Sequence, residues 1–86
     1  MKQAHIYFSG EVQGVFFRQT AKEIADSLKI SGYIKNLPDG RVELMAQSDE
    51  ENINKLLDTL QNQFKIDNTD INWSNSSQQF TSFDIR

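Results

Sequence analysis

The sequence predicts an α+β sandwich in the order strand, helix, strand, strand, helix, strand. Three observations predict it. A period-two run over residues 4–9 gives way to a helical period from Phe17. A Leu37-Pro38-Asp39-Gly40 turn separates two strand-like segments. A helix-spaced apolar series then runs from Ile53 to Phe64. Two helices with one apolar face each can cover only one side of a mostly antiparallel sheet, which leaves the other side to water.

The elements follow in order. Ala4, Ile6 and Phe8 alternate with His5 and Tyr7, as in a half-buried strand. Phe17, Ala21, Ile24, Ala25 and Leu28 then share one helical face, with Lys22, Glu23, Asp26 and Lys29 free to face water. Ser31-Gly32 breaks that helix, and Tyr33 to Asn36 reads as the second strand. Pro38 fixes φ and Gly40 accepts the left-handed position of a turn; Val42, Leu44 and Ala46 then alternate, completing a hairpin. Ser48 and Glu51 have the spacing of a capping box ahead of Ile53, Leu56, Leu57, Leu60 and Phe64. Residues 65–79 are polar and carry little pattern beyond a short edge strand at Ile71–Ser74. Phe80 to Ile85 reads as the closing strand, with Phe83 and Ile85 on one face. This order is that of a ferredoxin-like α/β sandwich, βαββαβ.

Eighty-six residues, 37% of them apolar, with six Phe and one Trp, point to one domain over residues 1–86. A chain of this size hides about 60–65% of its unfolded surface, enough for one core. The net charge of −3, with Lys and Arg scattered, argues against a nucleic-acid surface but not against a small anion held in one focused positive site. No cysteine is present, so neither a thiol nucleophile nor a thiolate metal site is expected. The first residues lack the apolar core of a signal peptide, and no apolar run is long enough to span a bilayer. A cytoplasmic monomer is the expectation. The glycosylation-like triplets Asn72-Trp73-Ser74 and Asn75-Ser76-Ser77 carry no weight without a secretion route.

Two places could carry chemistry. The first is Gly10-Glu11-Val12-Gln13-Gly14-Val15-Phe16-Phe17-Arg18, between a strand and a helix. Glycines allow a tight turn with inward amides, the helix start adds free N–H groups, and Arg18 adds a forked cation; the sum suits phosphate. The plainer reading is a glycine-containing connection whose Arg is merely solvated. The second place is Asn36, just before the Pro-Asp-Gly turn. There an Asn commonly serves the turn itself, while its other reading is an amide that holds a water near the cradle. His5 is a lone histidine in mid-strand and reads as structural. Ser9 lacks a nucleophile-elbow context, the acids at 49–51 suit a helix cap, and Phe16-Phe17 suits core packing rather than base stacking.

Gly10-x-Val12-Gln13-Gly14-Val15-Phe16-Phe17-Arg18, followed by Gly32-Tyr33-Ile34-Lys35-Asn36-x-x-x-Gly40-x-Val42, closely resembles the two signature segments of the acylphosphatases. The likeness runs through Phe83-Asp84-Ile85. It departs at Lys29 and Ser48, where the family usually has glycine, and in lacking a Gly-Pro pair after the second helix. The resemblance implies hydrolysis of a small acyl phosphate to a carboxylate and inorganic phosphate, with no cofactor and no metal. It makes Arg18 the phosphate-binding catalytic arginine and Asn36 the residue that orients water. The amides of Gln13, Gly14, Val15, Phe16, Phe17 and Arg18 complete the phosphate site. A non-catalytic anion sensor is the first alternative; an RNA-binding sheet and an accessory domain of a larger enzyme are weaker ones.

Overall fold

Alternation puts Ala4, Ile6 and Phe8 on one side of the first strand, and that side becomes the floor of the core. The computed structural model describes residues 2–75 and 79–86. Along the chain come β1 (Lys2–Gly10), α1 (Val15–Ser27), β2 (Ser31–Asn36), β3 (Val42–Ser48), α2 (Glu50–Gln63), β4 (Ile66–Asn75) and β5 (Phe83–Ile85). The sheet order is β4-β1-β3-β2-β5, antiparallel except where β5 lies parallel to β2. This is the ferredoxin-like α+β arrangement with a fifth strand added at one edge.

Register explains the core. Residues directly opposite one another in neighbouring strands share a face, so Ile6, Leu44 and Ile34 form one row and Phe8, Val42 and Asn36 the next. Phe17, Ala21 and Ala25 of α1, with Ile53, Leu56, Leu57 and Leu60 of α2, pack into the same buried cluster. Each fully buried Leu, Ile or Phe contributes about 1.5–3 kcal/mol.

Several expectations change. The short edge strand expected at Ile71–Ser74 is present but longer: it is the ten-residue β4, which takes in much of a stretch expected to carry little pattern. It is an edge strand whose residues are almost all exposed, so burial imposed no alternation on its sequence. Within it, Ile71 and Trp73 stand opposite Ile6 and Ala4, at the margin of the helix layer, and remain more than a third exposed. The closing strand shortens to Phe83–Ile85 and becomes an extra partner for β2 rather than the sixth element. Ser48 does not cap α2. It pairs with Lys2 as the last residue of β3, which moves the N-cap to Asp49, with no side-chain cap bond. Lys22 does not simply face water, because its ammonium donates to the Phe83 carbonyl at 2.7 Å. Ser76 and Ser77 of the second triplet lie outside the described residues.

The end of α1 shows why a glycine would be expected at position 29. Lys29 N–H donates to Asp26 O and Ile30 N–H to Ala25 O, the paired bonds of a Schellman ending. That ending requires a left-handed residue, and Lys29 takes φ 58°.

On the sheet face away from the helices, Glu43 is only 8% exposed. His5 Nε2 donates to its carboxylate at 2.6 Å, Tyr7 reaches the same oxygen at 3.5 Å, and Lys35 Nζ lies 3.7 Å from the other. Burial pushes the Glu43 carboxyl up, but the His5 hydrogen bond and the His5 and Lys35 charges outweigh it and hold it below its ordinary value. Tyr33 nearby is pushed up, first by burial and then by the Glu43 charge.

Candidate active site

The loop between β1 and α1 starts with a forced turn. Gly10 sits at φ 123°, and a Cβ there would meet Asp67 N at 2.7 Å and Lys65 O at 2.8 Å. Only glycine allows so close an approach, and the next residue anchors the loop by donating Glu11 N–H to Lys65 O at 3.0 Å. Val12 is fully buried, a second anchor. Gln13 and Gly14 are exposed.

Gly14 is the N-cap of α1 at φ 131°, and a Cβ built on it would meet nothing within 4 Å. No side chain caps this helix and no acid lies in its first turn. The opposite holds at α2, where Glu50 and Glu51 sit against the positive end. The first turn of α1 thus keeps free N–H donors and an uncompensated partial positive charge, with open space above the cap.

Helical rotation then sorts the next three residues. Phe17 enters the core, 2% exposed, edge-on to Phe8 and Phe64 with centroids 5.3 and 5.0 Å away. Phe16, about 100° away, is 78% exposed. The expectation that both rings pack in the core therefore fails for Phe16. Arg18 turns to the other flank, the one it shares with Lys22 at i+4. That flank faces β5, as the Lys22 bond to Phe83 O shows.

Asn36 ends β2 on the helix-covered face, opposite Val42, which is itself opposite Phe8. Strands β1 and β2 run in the same direction on either side of β3, so Gly10 and Asn36 lie at one end of the sheet, with the strand axes about 10 Å apart. Arg18 Nε and Asn36 Oδ1 are each buried with no hydrogen-bond partner among the described residues. A buried polar atom left so costs about 1–3 kcal/mol, a cost that a bound partner would offset.

The turn after Asn36 is tightly bonded. Leu37 N–H donates to Arg41 O at 2.8 Å and Gly40 N–H to Leu37 O at 3.2 Å. The Asp39 carboxylate accepts from Arg41 N–H at 3.1 Å and from Arg41 Nε at 2.8 Å, and these bonds, the backbone one first, hold its carboxyl below the ordinary value. Gln13 crosses from the loop, its Nε2 donating to Leu37 O at 2.9 Å and to Arg41 O at 3.1 Å. No sequence pattern announces that bridge, since it joins residues 24 and 28 positions apart.

His5 lies on the opposite face of the sheet, held by Glu43. Among the described residues, no group of three or more His, Asp or Glu is placed to hold a metal ion. Among the described residues, no helix is long and apolar enough to cross a membrane.

A family model described as Acylphosphatase matches residues 4–85. The chain is 43% identical over 86 residues to an acylphosphatase of Methanococcoides burtonii, covering 96% of this chain and 90% of that one. It is 37% identical over 87 residues to an acylphosphatase of Caldanaerobacter subterraneus subsp. tengcongensis, covering 98% and 97%. The crystal structure of acylphosphatase from Bacillus subtilis superposes with a TM-score of 0.93 at 34% identity, covering 100% of this chain and 99% of that one.

Proposed function

The chain belongs to the acylphosphatase family and is a hydrolase acting on acyl phosphates; from that premise we propose how its residues divide the reaction. The amides of Gln13, Gly14, Val15, Phe16, Phe17 and Arg18, with the Arg18 guanidinium, hold the phosphoryl oxygens. Asn36 orients the attacking water. One observation carries this division: Arg18 Nε, a donor, and Asn36 Oδ1, an acceptor, are both buried and without a partner among the described residues, at the same end of the sheet. The donor suits an oxyanion, and the acceptor suits a water O–H.

An acyl phosphate is a mixed anhydride. Its carboxylate leaves readily without a general acid, so the remaining work is to gather charge and aim the nucleophile. Donors fixed by a helix start and a guanidinium bind most tightly as charge builds on the transferring group, and one such donor is worth about 3–4 kcal/mol. Asn36 accepts a hydrogen from water and leaves its lone pair free to attack phosphorus in line with the departing carboxylate. A carboxamide is not a base, so the water proton passes to a substrate oxygen. The scheme calls on no metal ion.

Release of phosphate from a simple aryl acyl phosphate tests the roles. Arg18→Lys keeps the charge but loses the fork, and kcat/KM should fall about 10²–10³-fold, with weaker inhibition by inorganic phosphate. Near-normal turnover in that variant would remove Arg18 from the site. Asn36→Ala should lower kcat while phosphate inhibition stays close to that of the unaltered protein. Losses in step would move Asn36 into the anion cradle instead. We further read residues 1–86 as one domain, which the single buried cluster supports, and the protein as a cytoplasmic monomer. Sedimentation and cell fractionation test that reading.

A further inference from the structure

We infer that the Gln13 side chain is a positioning residue that sets the distance between the phosphate loop and Asn36. The proposal rests on the water-orienting reading of Asn36 and deepens it. Both hydrogens of the Gln13 carboxamide are committed to the turn, one to Leu37 O at 2.9 Å and one to Arg41 O at 3.1 Å. Each of those carbonyls already accepts a backbone N–H, from Gly40 and Leu37 respectively, so Gln13 fills the second lone pair of each. The turn it grips is rigid: Asp39 holds Arg41 through backbone and side chain, and the Arg41 guanidinium lies over the Tyr7 ring at 4.8 Å from its centroid. Leu37 follows Asn36 directly, so a pull on its carbonyl is a pull on the residue that aims the water.

Apart from this contact, the two halves of the site are joined through the sheet beneath them and the packing of α1 upon it. The anion side sits on a loop whose residues 13 and 14 are exposed, and the water side sits at a strand end. In-line attack depends on their separation, and a misplacement of about 1 Å costs as much as about 100-fold in rate. Gln13 is exposed, so its bonds add little to the stability of the fold. Their main effect is on spacing.

The test is a double-mutant cycle read by kcat, by inhibition with inorganic phosphate and by the urea midpoint. Gln13→Ala should lower kcat about 10–100-fold and leave phosphate inhibition and the midpoint close to those of the unaltered protein. Gln13→Glu keeps the shape but turns a carboxylate on two carbonyls, so it should be at least as slow. In an Asn36→Ala background, Gln13→Ala should lower kcat no further, because there is no longer an aimed water to misplace. Fully additive losses would overturn the proposal, as would phosphate inhibition weakening in step with kcat or a Gln13→Glu variant that turns over normally. If Asn36→Ala alone keeps its kcat, the water-orienting reading fails, and the positioning role fails with it. If Asn36→Ala is slow and Gln13→Ala is not, only the positioning role fails.

Discussion

Phe17 stands edge-on to Phe8, ring centroids 5.3 Å apart, and that contact fixes the first turn of α1 above the sheet row that ends in Asn36. Arg18 is the next residue, so its direction is inherited from Phe17. Phe17→Leu removes two edge-to-face contacts, with Phe8 and with Phe64. It should lower stability by about 1–3 kcal/mol in urea titration. Turnover should fall further than the folded fraction does, because the guanidinium loses its fixed bearing.

Lys29 carries strain that glycine would relieve. A left-handed residue with a Cβ costs about 1–2 kcal/mol, partly offset by the greater unfolded-state freedom of glycine. Lys29→Gly should therefore stabilise the protein by about 0.5–1 kcal/mol with kcat unchanged. A lower thermal midpoint in this variant would contradict the strain at φ 58°.

The two loop glycines should respond differently. Gly10→Ala drives a methyl into backbone atoms of Asp67 and Lys65 and should cost about 1–3 kcal/mol or more, measured by denaturant midpoint. At Gly14 the added methyl meets no protein atom, so only the φ strain acts on stability. Gly14→Ala should instead weaken phosphate inhibition, because the methyl enters the space in front of the free helix amides.

Acid should loosen the open face of the sheet. The Glu43 carboxyl is lowered in the folded protein from its ordinary 4.5, so as pH falls the unfolded chain takes up the proton first. The stability it contributes is fully present above pH 4.5 and is lost as pH drops through the lower folded-state value. The slope of denaturation midpoint against pH should be steep on the acid side and flatter in Glu43→Gln.

Much of this arrangement is legible in the sequence, for a physical reason. Where one face is buried, period and register are written into residue type, as in Ala4, Ile6 and Phe8 or in Ile53, Leu56, Leu57 and Leu60. The turns of the loop are legible too, because Gly10 and Gly14 mark its positive-φ positions. Strand β4 is legible only at Ile71–Ser74: at a sheet edge its other residues answer mostly to water, and backbone pairing leaves no compositional trace. The burial of Glu43 is not legible either: alternation places it off the core, yet His5, Tyr7, Tyr33 and Lys35 crowd that side. The bridge from Gln13 to the turn is set by tertiary approach alone, as is the exposure of Phe16, which depends on where α1 begins.

The position of β1 has a consequence for synthesis. Its two neighbours are β3 and β4, so its second edge stays bare until residues 66–75 have been made. A growing chain on the ribosome has no self-sufficient first half, and contacts so distant along the polypeptide close slowly. The last backbone pairing of β1 therefore closes late, after the segments of α1 and α2 that cover its apolar face have been made.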